Sequence, residues 1–274
     1  MKRLLLIASL ALLTSACATS PTGKKYVKIF PDSQMSQMGA AAFTSMKKSQ
    51  KLDSTPSSNR YVQCIVNALI PEMLIEDKRV FGDKAKMHQT RWEVSVFQED
   101  TPNAFALPGG KIGVHTGMFK VANSPDMLAS VIGHEIGHVW AEHGNARMSN
   151  QFLGNTALQL TAILGGAETQ QKQQVLGLLG VATQVGGLKF SRDHESESDN
   201  LGLTLMARAG FDPRASVTVW QNMSRLSKGR KPPEFLSTHP SNQTRINDLN
   251  AKMPGALKIY QQARAQGKRP NCRL

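Results

Sequence analysis

The chain has no apolar run long enough to cross a membrane as a helix. The apolar segment near its start, Leu4–Leu13, is followed at once by small and polar residues, and a transmembrane helix needs about 20 apolar residues. The basic pair Lys2-Arg3 before this segment and the small residues after it are typical of a signal peptide. We therefore predict that residues 1–16 are removed from the mature protein.

Cysteine is scarce, with three in 274 residues. Cys17 directly follows the small residues of the signal peptide, which predicts a lipoprotein whose Cys17 carries the lipid. Thr14 replaces the leucine usual three positions before such a cysteine, so ordinary cleavage that leaves a soluble periplasmic enzyme is the alternative. Ala18, in place of an aspartate, favours sorting to the outer membrane of a Gram-negative bacterium, with the protein facing the periplasm.

The other two cysteines are Cys64 and Cys272. In an oxidising compartment such a pair is a natural candidate for a disulfide, which would tie the C-terminal tail to an N-terminal helix. Sequence does not give the distance between them, so the pairing is left open here. Neither lies near the metal-binding motifs described below, which argues against a role as a metal ligand.

Acidic residues are few, with 20 against 33 basic residues and a formal net charge of +13. Loss of Lys2 and Arg3 with the signal peptide leaves +11. No aromatic interleaving or nucleic-acid motif accompanies this charge, so an anionic membrane surface or an acidic client suits it better than DNA. A basic surface that is simply solvated is a better explanation of this charge than any specific partner.

Against this background one motif carries a specific chemistry, the H-E-x-x-H of His134-Glu135-Ile136-Gly137-His138. Histidines four apart lie on one helical face and suit one zinc ion per chain. Glu135, beside them, is placed to take a proton from a water at the metal. The alternative is a buried helix whose two histidines are satisfied by other polar groups.

The surroundings support a buried helix around this motif. Ser124 or Asp126 is a candidate cap and Pro125 suits the first turn. Gly133 and Gly137 each cost the helix roughly 1 kcal/mol relative to alanine, and small residues inside a helix often allow close packing or approach of a ligand.

A catalytic zinc site needs a third protein ligand. The best candidate is Glu195, and Asp199, four residues later, lies on the same helical face. Asp199 could accept a hydrogen bond from a ligating histidine and orient its ring. Without the H-E-x-x-H motif, an acidic helix start would indicate only a solvated first turn.

Together with two further motifs, these residues resemble a known family, the gluzincin metallopeptidases of the HtpX, BepA and LoiP type, kin to the CAAX-prenyl endopeptidases. The motifs, in chain order, are Asn103-Ala104-Phe105-Ala106 with Pro108-Gly109-Gly110, His134-Glu135-x-x-His138, Ser191-Arg192-x-x-Glu195-x-Glu197-x-Asp199, and Thr238-His239-Pro240 with Arg245. Ser198 stands where the family usually has alanine. In size and layout the chain is most similar to the LoiP-like lipoprotein proteases.

The resemblance implies that His134, His138 and Glu195 bind zinc and that Glu135 is the general base. It also implies that an edge strand, Asn103, Ala104, Phe105 and Ala106, aligns the substrate backbone by strand addition. An ordinary core hairpin is the alternative reading of that segment, and the two are compatible.

His239 has three open roles. It could donate a hydrogen bond to the oxyanion, cap zinc as a fourth ligand that holds the enzyme latent, or be structural. Arg245 is expected to orient the His239 loop or bind substrate. His143 is expected on the opposite face from His134 if the helix continues, and His194 is expected to point away from the metal.

The patterns predict an α+β fold, mostly helical, in which a zincin-type domain has a small sheet or hairpin beside the H-E-x-x-H helix. Residues 151–190 are interpreted as two helices folded back on each other beside the active site. These helices could form a lid, rest on the membrane or simply pack against the domain. The domain boundaries expected are 1–16 for the signal peptide, 17–31 for a lipidated tether, 32–253 for the metallopeptidase and 254–274 for a basic tail.

The function expected from the resemblance is zinc-dependent endopeptidase activity on misfolded or misassembled envelope proteins in the periplasm. A different class of function, a chaperone-like assembly factor for outer-membrane proteins with a silent protease site, is the rival hypothesis. The partners expected are unfolded or misassembled envelope proteins, and the membrane through the lipid on Cys17.

Overall fold

The computed structural model describes residues 17–164, 190–227, 235, 238–239 and 243–274, and only the backbone of residues 155–164 and 227. The elements in chain order are β1 Cys17–Thr19, β2 Lys25–Val27, α1 Asp32–Ser49, α2 Pro56–Phe81, β3 Glu93–Phe97, β4 Ala104–Leu107, β5 Lys111–His115, α3 Pro125–Trp140, α4 His143–Leu164, α5 Arg192–Arg208, α6 Ala215–Ser227 and α7 Gln243–Ala265. The α+β, mostly helical fold class is confirmed.

A three-stranded sheet lies beside α3. Strand β4 pairs antiparallel with β5, and β3 pairs parallel with β5 on its other side, so the order is β3-β5-β4. The turn between β4 and β5 places Gly109 and Gly110 at φ of +80° and +75°, a region that glycine adopts without strain. The hairpin prediction is therefore confirmed, and β4 is an edge of the sheet.

The core centres on the close approach of α3 and α5. A Cβ at Gly133 would lie 3.1 Å from the Gly202 carbonyl oxygen, and one at Gly137 would lie 3.1 Å from the Ser198 carbonyl oxygen. A Cβ at Gly202 would lie 2.7 Å from the backbone nitrogen of His134. These three glycines let the two helices pack with backbones almost in contact, and this brings the histidines of one helix to the carboxylates of the other.

The C-terminal segment is joined to the rest of the fold. Helix α7 continues past the expected boundary at residue 253 as far as Ala265, and Lys268 Nζ then contacts Glu72 Oε1 at 2.5 Å. Cys64 and Cys272 form a disulfide with a Cα–Cα distance of 5.6 Å. Residues 254–274 are thus a packed continuation of the fold and differ from the tail that was expected.

The N-terminal segment also differs from the tether expected over 17–31. Strands β1 and β2 form an antiparallel pair, and the intervening Ser20 is buried against Glu197. Phe30 is also buried. The physical reason is that buried carboxylates of the core require hydrogen-bond donors, and this segment supplies them.

Several predictions concern residues at the margins of the described structure. The signal peptide, residues 1–16, lies outside the described residues, as does most of the segment interpreted as two folded-back helices, of which only the first helix is seen as far as Leu164. Within the described ranges, no helix is both long enough and apolar enough to cross a bilayer.

The tight packing of α3 on α5 predicts the effect of enlarging Gly202. A Gly202→Ala protein should lose about 1–3 kcal/mol of unfolding free energy, because the new methyl group meets backbone that cannot yield. The measurement is urea denaturation of the metal-free protein.

The matched control is Gly255→Ala in α7, where an added Cβ meets nothing within 4 Å. This substitution should leave stability unchanged or raise it by roughly 0.5–1 kcal/mol. Equal stability of the two variants would mean that the α3–α5 contact is looser than described.

Candidate active site

Helix α3 positions the two histidines of the H-E-x-x-H motif. Its first turn is capped by Ser124, whose Oγ accepts a hydrogen bond from the Met127 N–H at 3.2 Å. His134 and His138 are one turn apart and buried, with their Nε2 atoms 3.0 Å from each other. Both histidines therefore present a ring nitrogen to the same point.

Helix α5 brings the carboxylates to that point. Glu195 Oε2 lies 3.5 Å from His134 Nε2, and Glu195 Oε1 lies 3.4 Å from His138 Nε2. One turn later Asp199 Oδ1 lies 2.9 Å from His134 Nδ1. Glu195 thus faces the metal side of the ring of His134, while Asp199 holds the ring from behind.

The side chain of His239 completes a four-membered group. Its Nδ1 lies 3.2 Å from His134 Nε2 and 3.0 Å from Glu195 Oε1, and all four ligand atoms of His134, His138, Glu195 and His239 lie within 4.8 Å of one another. Ligands about 2.0–2.1 Å from a tetrahedral zinc ion would be separated by roughly 3.3 Å. The distances between these atoms and the chemistry of the donor set fit one such ion.

Arg245 at the start of α7 holds both carboxylates. Its Nε and Nη2 donate to Asp199 Oδ2 and Oδ1 at 2.6 and 2.7 Å, and its Nη1 donates to Glu195 Oε2 at 2.6 Å. The guanidinium also stacks over Trp220 at 3.8 Å from the ring centroid and is 3% exposed. Arg245 therefore holds Glu195 and Asp199 in place. The roles expected from sequence, orienting the His239 loop or binding substrate, stay predictions.

Electrostatics within the group follow from this pairing. Burial opposes ionisation of Asp199, yet the Arg245 charge and the hydrogen bond of His134 keep the pKa of Asp199 below its ordinary value. Burial likewise opposes protonation of His134, but hydrogen bonds to Asp199 and Glu195 raise its pKa to about 9 in the metal-free protein. Burial holds the pKa of His138 well below the ordinary value.

Glu135 faces the cleft beside the metal group. Its Oε2 accepts a hydrogen bond from the Ala106 N–H of β4 at 3.0 Å, and its Oε1 lies 3.5 Å from His239 Nε2. Burial raises the pKa of the Glu135 carboxyl. A buried carboxylate with one oxygen held and a raised pKa suits a general base.

The edge of β4 lines an open cleft of about 1040 Å³. The cleft is lined by the segment expected to align substrate, Asn103, Ala104, Phe105 and Ala106, and by residues of α1. The ring of Phe105 packs across Gly113 of β5. The segment thus lies at the cleft, and its Ala106 N–H contacts Glu135.

Sequence reasoning missed the role of His143. Helix α3 ends at Trp140 and Glu142 has a φ of +55°, so the chain turns back and brings His143 Nδ1 to 2.8 Å from His138 Nδ1. The expectation that His143 lies on the opposite face assumed a continuous helix, and that assumption was wrong. The sequence between His138 and His143 contains no glycine or proline that would have marked the break.

Two further residues around His138 carried no sequence signal for their contacts. Phe190 stacks on the His138 ring with centroids 3.9 Å apart. Glu197 Oε2 lies 3.3 Å from His143 Nε2, although its spacing from Glu195 does not place it on the same helical face. His194 stacks on His143 at 4.3 Å and, as expected, is not part of the metal group.

Comparisons with known proteins agree with this geometry. The sequence profile of peptidase family M48 matches residues 56–253. The mitochondrial metalloendopeptidase OMA1 of Saccharomyces cerevisiae is 31% identical over 188 residues, covering 66% of this chain and 52% of that protein. The metalloendopeptidase OMA1 of Danio rerio is 30% identical over 269 residues, covering 93% and 54% respectively.

A bacterial relative is also similar. The beta-barrel assembly-enhancing protease of Escherichia coli (strain K12) is 28% identical over 222 residues, covering 78% of this chain and 43% of that protein. The chain spans about half the length of the curated relatives it matches. The narrower likeness to LoiP-type lipoprotein proteases stays a prediction.

The contacts of Arg245 predict a large loss of stability when its charge is removed. An Arg245→Ala protein leaves Glu195 and Asp199 buried without their cation, which typically costs 3–5 kcal/mol. Arg245→Lys should lose less, because it keeps the charge but not the forked geometry. Urea denaturation of the metal-free protein measures both.

Lys252→Ala, an exposed cation on the same helix, is the control for these variants and should change stability by at most about 0.5 kcal/mol. A stability of Arg245→Ala equal to that of the control would show that the guanidinium is not what compensates the two carboxylates.

Proposed function

The chain belongs to peptidase family M48, and we propose that it is a zinc-dependent endopeptidase. The observation that carries the proposal is the juxtaposition of a four-ligand metal group with Glu135 and the edge of β4. A metal site, a general base and a backbone-binding edge are the three parts that hydrolysis of an extended peptide requires.

Each residue has a role in the proposed reaction. His134, His138 and Glu195 hold the metal, which when bound lowers the pKa of a water and polarises the scissile carbonyl. Glu135 accepts the proton of the attacking water and delivers it to the leaving amine. Arg245 and Asp199 keep Glu195 and His134 in place, and the backbone edge of β4 pairs with the substrate.

His239 is proposed to keep the resting site closed. Its Nδ1 occupies the fourth corner of the group, where a catalytic site holds water. The ring stacks on Phe235 with centroids 4.7 Å apart, and the His239 N–H donates to the Phe235 carbonyl at 2.8 Å. Movement of His239 away from this corner would open the position for water.

The proposed substrates are unfolded or misassembled envelope proteins. Pairing with a strand edge recognises backbone and tolerates many side chains, so it selects extended chains. We propose that the protein acts in the periplasm, anchored to the outer membrane by a lipid on Cys17, which is exposed at the start of β1. The bacterial relative named for enhancing beta-barrel assembly supports this setting.

A second candidate function is favoured by the position of His239. If His239 holds the site closed as a fourth ligand, the protease is latent and the protein acts as a chaperone-like assembly factor. A Glu135→Gln protein that fully restores the envelope of a deletion strain would favour this candidate over the protease.

The role of Glu135 predicts the effect of the Glu135→Gln substitution. The amide still accepts the Ala106 N–H but cannot take a proton, so casein cleavage should fall by about 10²–10⁴-fold while zinc content stays at one per chain. Cleavage is followed by gel electrophoresis and zinc by atomic emission.

The control is Asp83→Asn, a fully exposed carboxylate in a surface turn, which should cleave casein as the wild type does. Undiminished turnover by Glu135→Gln would refute the assignment of the general base.

The position of His239 predicts that His239→Ala raises casein cleavage above that of the wild type, because the fourth corner then accepts water. Zinc content should remain at one per chain, since three protein ligands are enough for a catalytic site. If cleavage falls instead while zinc is retained, His239 acts on the oxyanion and does not close the site.

A further inference from the structure

The two histidines of α3 are supported differently. His134 Nδ1 meets a carboxylate directly, Asp199 Oδ1, at 2.9 Å. The Nδ1 of His138 instead meets another imidazole, His143 Nδ1, at 2.8 Å. A metal-binding histidine usually donates its second ring N–H to a carboxylate, a carbonyl or water, so the support of His138 requires an explanation.

The explanation lies one contact further out. His143 Nε2 lies 3.3 Å from Glu197 Oε2, and both side chains are buried. If His138 turns Nε2 towards the metal group, its proton is on Nδ1 and is donated to His143 Nδ1. A neutral His143 then carries its own proton on Nε2 and donates it to Glu197. The three side chains thus form one directional chain that ends on a carboxylate.

The N-terminal hairpin completes the chain. Ser20 Oγ donates to Glu197 Oε1 at 2.5 Å, and Thr22 Oγ1 donates to the same oxygen. Residues 17–27 therefore supply the hydroxyl groups that donate to Glu197 Oε1, while His143 Nε2 contacts Glu197 Oε2.

The same hairpin, together with Lys28 directly after it, also holds the bend that carries His143. Tyr26 Oη donates to Glu142 Oε2 at 2.5 Å, and Lys28 Nζ lies 2.9 Å from that oxygen. Glu142 is the residue with positive φ next to His143. Both ends of the His143–Glu197 contact are thus fixed by residues from the N-terminal segment.

We propose that His143 and Glu197 are positioning residues that orient the His138 ring for the metal, with Ser20 and Thr22 of the N-terminal hairpin holding Glu197 in place. The inference rests on the proposed function in one respect, that His138 binds the metal through Nε2. It adds a path of hydrogen bonds from the first residues after Cys17 to a metal ligand.

The alternative is that these contacts only stabilise the fold. The two cases differ in what a substitution changes. Loss of a positioning residue weakens metal binding, typically 10–100-fold, whereas loss of a packing residue lowers the stability of the metal-free protein without a selective effect on zinc.

The experiment measures the zinc dissociation constant of the full mature chain by competition with a chromophoric chelator, and the melting temperature of the same protein without metal. His143→Leu should weaken zinc binding about 10–100-fold. His143→Asn should recover most of that loss, because its amide oxygen takes the place of Nδ1 as the acceptor for His138. Glu197→Gln should also weaken binding.

The hairpin is tested by the double substitution Ser20→Ala with Thr22→Val. Its expected effect is a loss of zinc affinity smaller than that of His143→Leu. The matched control is Thr19→Val, on the same hairpin but exposed and bonded only to Lys25 among the described contacts, which should bind zinc as the wild type does.

The outcomes separate the inference from the function it rests on. Wild-type protein that binds no zinc would overturn both. Wild-type affinity in His143→Leu, with only a lower melting temperature, would overturn the positioning role and leave the metal site intact. Equal losses in the hairpin double variant and in Thr19→Val would overturn the part assigned to Ser20 and Thr22.

Discussion

The site depends on one buried ion pair network, that of Arg245 with Glu195 and Asp199. Two carboxylates on one face of a buried helix repel each other and lose their hydration, and each would be costly to bury without a cation. The planar guanidinium meets both with short, aligned hydrogen bonds. It thereby permits one carboxylate to face the metal and the other to face the back of His134.

This network acts only because two helices approach very closely. Gly133, Gly137 and Gly202 carry no side chain at the α3–α5 contact, so imidazoles and carboxylates from different helices reach the same point. The glycines lower the stability of each helix. In return they allow a close approach of α3 and α5, which larger residues would push apart. The same three glycines therefore destabilise their helices and make the geometry of the site possible.

The parts of this site that sequence predicted are those set by local spacing. His134 and His138, and Glu195 and Asp199, are each four apart, and helical periodicity places each pair on one face. The Pro-Gly-Gly turn likewise predicted the hairpin. Arg245 and Glu197 stand in the motifs, but their contacts were not predicted, because these are set by tertiary packing across 46 to 177 residues of chain, for which a single sequence holds no periodic signal.

The N-terminal hairpin ties the metal site to the proposed anchor. Ser20 contacts Glu197 and lies three residues after Cys17, a stretch of chain that spans at most about 10 Å. A lipid on Cys17 would therefore hold the metal group within a short distance of the membrane surface. A segment that sequence suggested was a loose tether would in this way determine both where the enzyme works and how firmly His138 is held.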